Sequence, residues 1–371
     1  MSSFDLAILS GGQGRQFQSR AGSGKDKALA QINGQSILEI LVSRFLGVGN
    51  HLLLICGSIQ RCKTYKSILK PSKADLGTHL KLILDSTEYE LAPGPLRGIL
   101  TAIHSTSSKR LLTIPNDMPF LLREHILPLV DQKLNSEICT PIWPNRCLQP
   151  LIAAYQSSKF LQCAVLFGIL KRNRADDPIR AANSVCFLPI HIENTMKENS
   201  AFLNVNTPEA LVKAQKIAGQ IATSKMTYDI AEKTNIQVYK DPHAELVRRF
   251  TKFNENRNNI AAQDFQMKLE ELANEFRSHQ MHFWRGLACE ILSQSVSKSR
   301  ETLEEKQNWL ECATKAYRRE HDFWIKHNQP FIALHCLFDQ MKFLDSHSED
   351  YKKTLDLIAR YKTDLFRDDH E

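Results

Sequence analysis

Apolar residues are distributed along this chain in two different patterns. In the first part, short, mainly apolar runs occupy residues 4–9, 51–56, 80–84 and 110–114, separated by turn-forming residues. Runs that apolar suit strands buried on both faces, as in a mainly parallel sheet. Between them, residues 36–46, 60–69, 96–104 and 122–133 carry apolar positions at helical spacing. The alternation predicts an α/β, doubly wound, mainly parallel sheet. From about residue 225 the pattern becomes almost continuous helical spacing, rich in Leu, Glu, Lys, Gln and Ala. Fourteen of the 15 glycines lie at or before Gly219, and 12 of the 14 prolines at or before Pro208. This shift draws a boundary between residues 1–222 and an all-α segment, 223–371. Within the latter, Glu271, Ala273, Phe283 and Trp284 recur forty positions later as Glu311, Ala313, Phe323 and Trp324, the period of a short helix-pair solenoid.

Composition narrows the class. At 371 residues, with 42% hydrophobic and 24% charged, the chain has the make-up of a globular protein. No stretch approaches the roughly 20 apolar residues of a membrane helix, and the N-terminus lacks a basic segment followed by an apolar one, so a cytoplasmic protein without membrane contact is expected. The nine cysteines form no Cys-x-x-Cys pair and are expected as reduced, mainly buried thiols. Net charge is +7, divided unevenly: residues 1–220 hold 25 Lys+Arg against 16 Asp+Glu, or +9, leaving 23 against 25, or −2, for the remainder. The basic excess is not gathered into Lys/Arg runs with interleaved aromatics. It argues against nucleic acid and fits either a phosphorylated small substrate or a solvated surface.

The candidate chemistry begins after the first apolar run. The segment Leu9-Ser10-Gly11-Gly12-Gln13-Gly14 leaves a buried strand, becomes glycine-rich and leads to Lys25-Asp26-Lys27-Ala28-Leu29. Backbone amides approach phosphates closely where side chains do not intervene, and a following lysine neutralises phosphate charge. The Walker pattern fails, because Ser19 stands where its first glycine belongs and Asp26 follows the lysine. The dinucleotide fingerprint fails at Phe17, where its third glycine belongs. Asp117 closes the run at 110–114 and is expected at the carboxyl end of the sheet, where open α/β sheets place ligands, unless it caps a helix near Leu121.

Four ordered blocks carry a resemblance: Leu9-Ser10-Gly11-Gly12 leading to Lys27-Ala28-Leu29; Gly94-Pro95-Leu96-Arg97-Gly98; Pro115-Asn116-Asp117-Met118-Pro119; and Asn204-Val205-Asn206-Thr207-Pro208. Together they span residues 4–219 and resemble the molybdenum cofactor guanylyltransferases, within the nucleoside-diphospho-sugar transferase-like nucleotidyltransferases. The resemblance implies a Rossmann-like nucleotidyltransferase fold, and Mg²⁺-dependent transfer of GMP from GTP to a molybdopterin-type acceptor with release of pyrophosphate. It implies catalytic roles for Lys27 and Asp117, nucleotide contacts from Leu9, Ser10, Gly11, Gly12, Lys27, Asp85 and Asp117, and metal contacts from Asp117 and Asn206. It places Arg97 at the acceptor's phosphate and Asp85 on the guanosine side. Asp85 also suits the opening of a turn, and Asn206 or Thr207 a helix cap ahead of Pro208. The Gly11-Gly12 pair and Asn204-Val205-Asn206 favour guanylyl over cytidylyl transfer. A same-fold enzyme using CTP or a sugar phosphate is the nearest alternative, and a degenerate nucleotide-binding scaffold the alternative of another class.

The chain departs from the family's usual pattern at Ser10, where alanine is common, at Gln16-Phe17 and near Cys56, and by about five extra residues around 18–22. These departures bear on base selectivity and turnover. The helical segment carries no catalytic motif. It is expected to be separable at about Ala222 and to serve contact with a partner protein or a second copy of the chain.

Overall fold

The computed structural model describes residues 4–11, 26–70, 79–86, 91–131, 135–160, 164–192, 200–218, 226–240, 243–295 and 300–366. The four apolar runs form strands β1 (Phe4–Ser10), β4 (Leu52–Cys56), β5 (Leu80–Leu84) and β6 (Arg110–Pro115), with a small hairpin of β2 (Gln31–Ile32) and β3 (Gln35–Ser36) after β1. Five further strands follow: β7 (Ile138–Ile142), β8 (Ala153–Gln156), β9 (Ser184–Ile192), β10 (Met226–Tyr228) and β11 (Thr234–Gln237). All but the hairpin join one nine-stranded sheet, ordered β10-β9-β7-β8-β6-β1-β4-β5, with β11 also on β9. Strands β5, β4, β1 and β6 are mutually parallel, as are β7 and β9, whereas β8, β10 and β11 run antiparallel to their neighbours. The α/β, mainly parallel architecture expected from the apolar runs is present.

Helices α1 (Ile37–Phe45), α2 (Ile59–Leu69), α3 (Pro95–Ser105), α4 (Ser157–Phe160), α5 (Ala164–Ile169), α6 (Asp177–Ala181) and α7 (Pro208–Ala218) accompany the sheet. Then come α8 (His243–Glu255), α9 (Ala262–Ser278), α10 (His282–Ser295), α11 (Arg300–Lys326), α12 (Pro330–Met341) and α13 (Glu349–Phe366). Among the described residues no helix is long and apolar enough to cross a membrane. The eight described cysteines are free. One expected helix, over 122–133, is instead two short 3-10 turns, Arg123–His125 and Leu127–Val130. Pro128 supplies the reason: it has no N–H to donate and disfavours α geometry at the residue before it. The forty-residue echo is not a structural repeat either. Its first members are divided between α9 and α10 by a turn through Gln280, at φ 56°, whereas the second set lies on the single helix α11.

Alternate residues of β1 face opposite layers. Leu6 and Ile8 pack with Ile37, Leu38, Leu41 and Phe45 of α1 and with Tyr65 of α2. Ala7 and Leu9 belong to a second cluster that holds Leu96 and Ile99 of α3 together with Phe250, Phe276, Trp284, Trp324 and Cys336 from α8 to α12. The later helices thus complete the covering of one sheet face, and Phe187 of β9 meets Trp324 edge-on at 6.4 Å. Strands β10 and β11 line the edge of β9 at Ile190–Ile192 and Ser184–Phe187 respectively. The boundary at 222/223 therefore cuts through one sheet and one core.

Charge crosses that boundary as well. Arg180 of α6 grips Glu320 of α11 through Nε and Nη2 at 2.7 and 2.6 Å, and its Nη1 bonds Asp339 of α12. Arg172 donates to Asp177 and Asp339, both at 2.6 Å. Arg172 is 5% exposed, Arg180 and Asp339 not at all. Burial opposes ionisation of Asp339, but Arg172, Arg180, Arg174 and Lys342 outweigh it and hold the carboxyl well below the usual carboxylate range.

Candidate active site

The strand registers align the ends that carry the candidate residues. Leu9 stands opposite Pro115, Ser10 opposite Cys56, and Cys56 opposite Leu84. Asp117, Gly11, Gly57 and Asp85 therefore follow β6, β1, β4 and β5 along one carboxyl edge of parallel strands. Such an edge is the ligand-binding margin of open α/β sheets.

At one end lies an ionic centre. Lys27 belongs to a 3-10 turn, Lys27–Leu29, whose cap is Asp26: its Oδ1 accepts from the Ala28 amide at 3.1 Å. The Lys27 ammonium donates to Asp117 Oδ2 at 2.6 Å and to Asn206 Oδ1 at 2.9 Å. Asn206 is brought there because the Val205 amide donates to the Asp117 carbonyl at 2.8 Å. Thr207, not Asn206, caps α7 by accepting from the Ala210 amide at 3.2 Å. Arg44 of α1 donates to the carbonyls of Pro119 and Leu121 at 2.6 and 2.7 Å, fixing the turn after Asp117. Asp117 is 6% exposed, and its Oδ1 is buried with no hydrogen-bond partner among the described residues. A carboxylate oxygen left open beside an amide oxygen fits a hard divalent cation, which takes one or two protein oxygens and completes its shell with phosphate and water.

At the other end lies a narrow acidic slot. The Asp85 amide donates to the Cys56 carbonyl at 2.8 Å, and Oδ1 of its carboxylate is buried without a partner among the described residues. Burial pushes this carboxyl up to about 6, against the opposing pull of Arg97 and Arg61. A Cβ on Gly11 would lie 2.6 Å from Asp85 Oδ2, and one on Gly57 would lie 2.4 Å from the Gly11 carbonyl. Only glycine at both positions lets the ends of β1 and β4 close around the carboxylate.

The other candidates are placed as follows. The Leu9 side chain is core, 8% exposed, so only its backbone borders the edge. Ser10 is fully buried, its hydroxyl turned inward to Tyr65 at 2.8 Å and to Asn116, whose Nδ2 donates at 2.7 Å. Arg97 donates through Nε and Nη2 to the Leu91 carbonyl at 3.2 and 2.6 Å, tying down the loop before α3. Gly12, with Arg15, Gln16, Phe17, Arg20 and Lys25, lies outside the described residues.

Sequence reasoning missed four polar residues behind the site. Tyr65 donates to Asp26 Oδ2 at 2.7 Å; Arg61 reaches the same oxygen at 3.1 Å and the Ser10 carbonyl at 3.3 Å. Asn116 and Asp26 flank residues that were singled out, but nothing in the sequence marks Tyr65 and Arg61 beyond their i, i+4 spacing on one helix face.

The comparisons with known proteins bear on this arrangement. Residues 6–176 match the MobA-like NTP transferase domain. A probable molybdenum cofactor guanylyltransferase from Thermococcus gammatolerans is 33% identical over 219 residues, 57% of this chain and 98% of the relative. The corresponding protein from Pyrococcus horikoshii is 28% identical over 214 residues, 55% of this chain and 95% of that one. Among solved structures, molybdopterin-guanine dinucleotide biosynthesis protein A from Archaeoglobus fulgidus aligns over 58% of this chain and 100% of its own, at 21% identity and a TM-score of 0.46. On the Thermococcus relative's coverage and identity, the chain is a nucleotidyltransferase of the molybdenum cofactor guanylyltransferase family, with a helical segment beyond the part its relatives share.

Proposed function

We propose that this enzyme transfers GMP from GTP to the terminal phosphate of a molybdopterin-type acceptor, releasing pyrophosphate and forming a guanine dinucleotide. The observation that carries the reading is the meeting of Lys27, Asp117 and Asn206, residues 90 and 179 positions apart in sequence, at the same strand edge as Asp85. An acceptor phosphate oxygen attacks the α-phosphorus of GTP; one P–O bond forms while the bond to the β-phosphate breaks, and pyrophosphate leaves with the electron pair. Charge grows on the α-phosphate oxygens and the leaving group, so preorganised cations lower the barrier. Among the described residues the Lys27 ammonium is a cation at that centre, steered by Asp117 and Asn206. Asp117 and Asn206, with phosphate oxygens, form a donor set suited to a divalent cation such as Mg²⁺, and a bound cation supplies charge neutralisation along the triphosphate.

The Asp85 slot supports guanine. An ionised carboxylate only accepts hydrogen bonds, and the guanine Watson–Crick edge offers two adjacent donors, N1–H and the N2 amino group. Cytosine, uracil and adenine offer no such pair. Arg97 also holds the loop behind this slot and offsets the carboxylate's charge, alongside the acceptor contact expected of it. The test is pyrophosphate release in Mg²⁺ with a molybdopterin acceptor and GTP, CTP, UTP or ATP. Turnover with GTP alone is expected, and Asp117→Ala or Lys27→Ala should lower it by roughly a thousandfold or more. Equal or faster turnover with CTP would overturn the base assignment, and full activity of Asp117→Ala the site itself.

A further inference from the structure

Behind the ionic centre runs a chain of buried and half-buried polar groups in which the hydrogen linking each pair has one direction to point. Asn116 Nδ2 donates to Ser10 Oγ at 2.7 Å, Ser10 Oγ lies 2.8 Å from the Tyr65 hydroxyl, and Tyr65 donates to Asp26 Oδ2 at 2.7 Å. A carboxylate offers no proton, so the Tyr65 hydrogen is committed to Asp26. The Tyr65 oxygen must then accept from Ser10, and Ser10 from Asn116. The direction is fixed along the whole run. Ser10 and Tyr65 are 0% exposed and Asn116 is 6%, so water does not substitute for a missing member.

Both ends of the run lead back to the same place. Asn116 is bonded covalently to Asp117. Asp26, at the far end, caps the turn that begins with Lys27, through its other oxygen. Lys27 closes the ring on Asp117. Arg61, one helical turn before Tyr65 on α2, braces Asp26 and the Ser10 carbonyl from the same face. We infer that Ser10, Tyr65 and Asp26 are positioning residues for the transfer reaction, a one-way hydrogen-bonded relay that sets Lys27 against Asp117 before nucleotide arrives. Burial raises the Tyr65 hydroxyl above its ordinary range, which keeps it the donor the relay requires.

The inference rests on the proposed nucleotidyl transfer, and the experiment separates the two. Tyr65→Phe removes one oxygen from a site where the ring still fits, and Ser10→Ala breaks the run one link earlier. Each should lower kcat about tenfold while KM for GTP stays within about twofold, because the Asp85 slot is untouched. The double variant should be no slower than either single, since both break the same run. In nucleotide-free protein, labelling of Lys27 by an amine-reactive reagent, read by mass spectrometry, should rise severalfold in both variants. A purely structural role predicts otherwise: kcat, KM and melting temperature moving together, losses that multiply in the double variant, and unchanged Lys27 labelling; any of these overturns the relay. Lys27→Ala is the reference. If it abolishes turnover while Tyr65→Phe and Ser10→Ala keep full kcat, the relay fails and the transfer reading stands. If Lys27→Ala itself turns over normally, the transfer reading fails.

Discussion

Replacing Asp339 with Ala tests whether the later helices are structurally required. Its carboxylate is fully buried and receives Arg172 Nη2 and Lys342 Nζ, each at 2.6 Å, in addition to Arg180. Truncation leaves two guanidinium groups in the interior short of a counter-charge, with Asp177, Glu320 and, at 3.7 Å, Glu290 as the remaining acids among the described residues. Breaking a buried ionic arrangement by removing one partner costs about 3–5 kcal/mol. Against a total stability of about 5–15 kcal/mol that is a large fraction. The melting temperature should fall by roughly 4–6 °C. Urea unfolding followed by tryptophan fluorescence reads the same loss close to the lesion, because Trp324 is fully buried and its indole N–H lies 3.3 Å from Glu320 Oε1. Glu349→Ala, which removes the solvent-exposed partner of Lys353, is the control and should leave the transition in place. An Asp339→Ala protein whose transition coincides with that of the parent would refute the claim that this cluster joins the two parts.

Residues 1–222 alone should be a loosely packed, aggregation-prone fragment rather than the independent domain expected from glycine and proline. They lack β10, β11 and the helices that bury Phe187; a sharp near-ultraviolet dichroism spectrum and cooperative melting of that fragment would contradict this. GTP affinity should depend on Asp85, whose folded-state carboxyl titrates at about 6. Only the ionised form accepts both guanine donors, so Kd should rise about tenfold per pH unit below that value, and Asp85→Asn should flatten the profile. Because this carboxyl is raised above its unfolded value, ionising it opposes folding. Asp85→Asn should therefore gain stability relative to the parent as pH rises from about 4 to 6, checked by melts across that window.

The legible part of the fold is the part governed by local rules. Mainly apolar runs marked β1, β4 and β6, which are buried along their whole length, and also the edge strand β5, which is only partly covered. The edge strand β11, Thr234–Gln237, escaped because its four residues alternate in burial and owe their conformation to β9, some fifty positions earlier. In the site, Lys27, Asp117 and Asn206 were legible as members of ordered blocks, whereas Tyr65 was not: its partners Ser10 and Asp26 lie 55 and 39 positions away. Charge misled most. Arg172, Arg174 and Arg180 belong to the basic excess counted over residues 1–220, yet they meet Asp176, Asp177, Glu320 and Asp339 rather than forming a free basic surface. A count of charges along a chain carries no information about which of them fold inward.

The pairing of Arg180 with Asp339 also has a clock. The two are 159 positions apart, and at about 5–20 residues per second the ribosome needs roughly 8 to 32 s to deliver the second after the first. Once Asn206 has been made, Lys27, Asp117 and Asn206 are all present while Arg180 still lacks Glu320 and Asp339 and the sheet face still lacks its later helices. Completion of this core therefore waits until Asp339 has been translated. A ribosome that stalls between Asn206 and Asp339 releases Lys27, Asp117 and Asn206 together but without the acid that Arg172 and Arg180 share, and so without a stable enzyme.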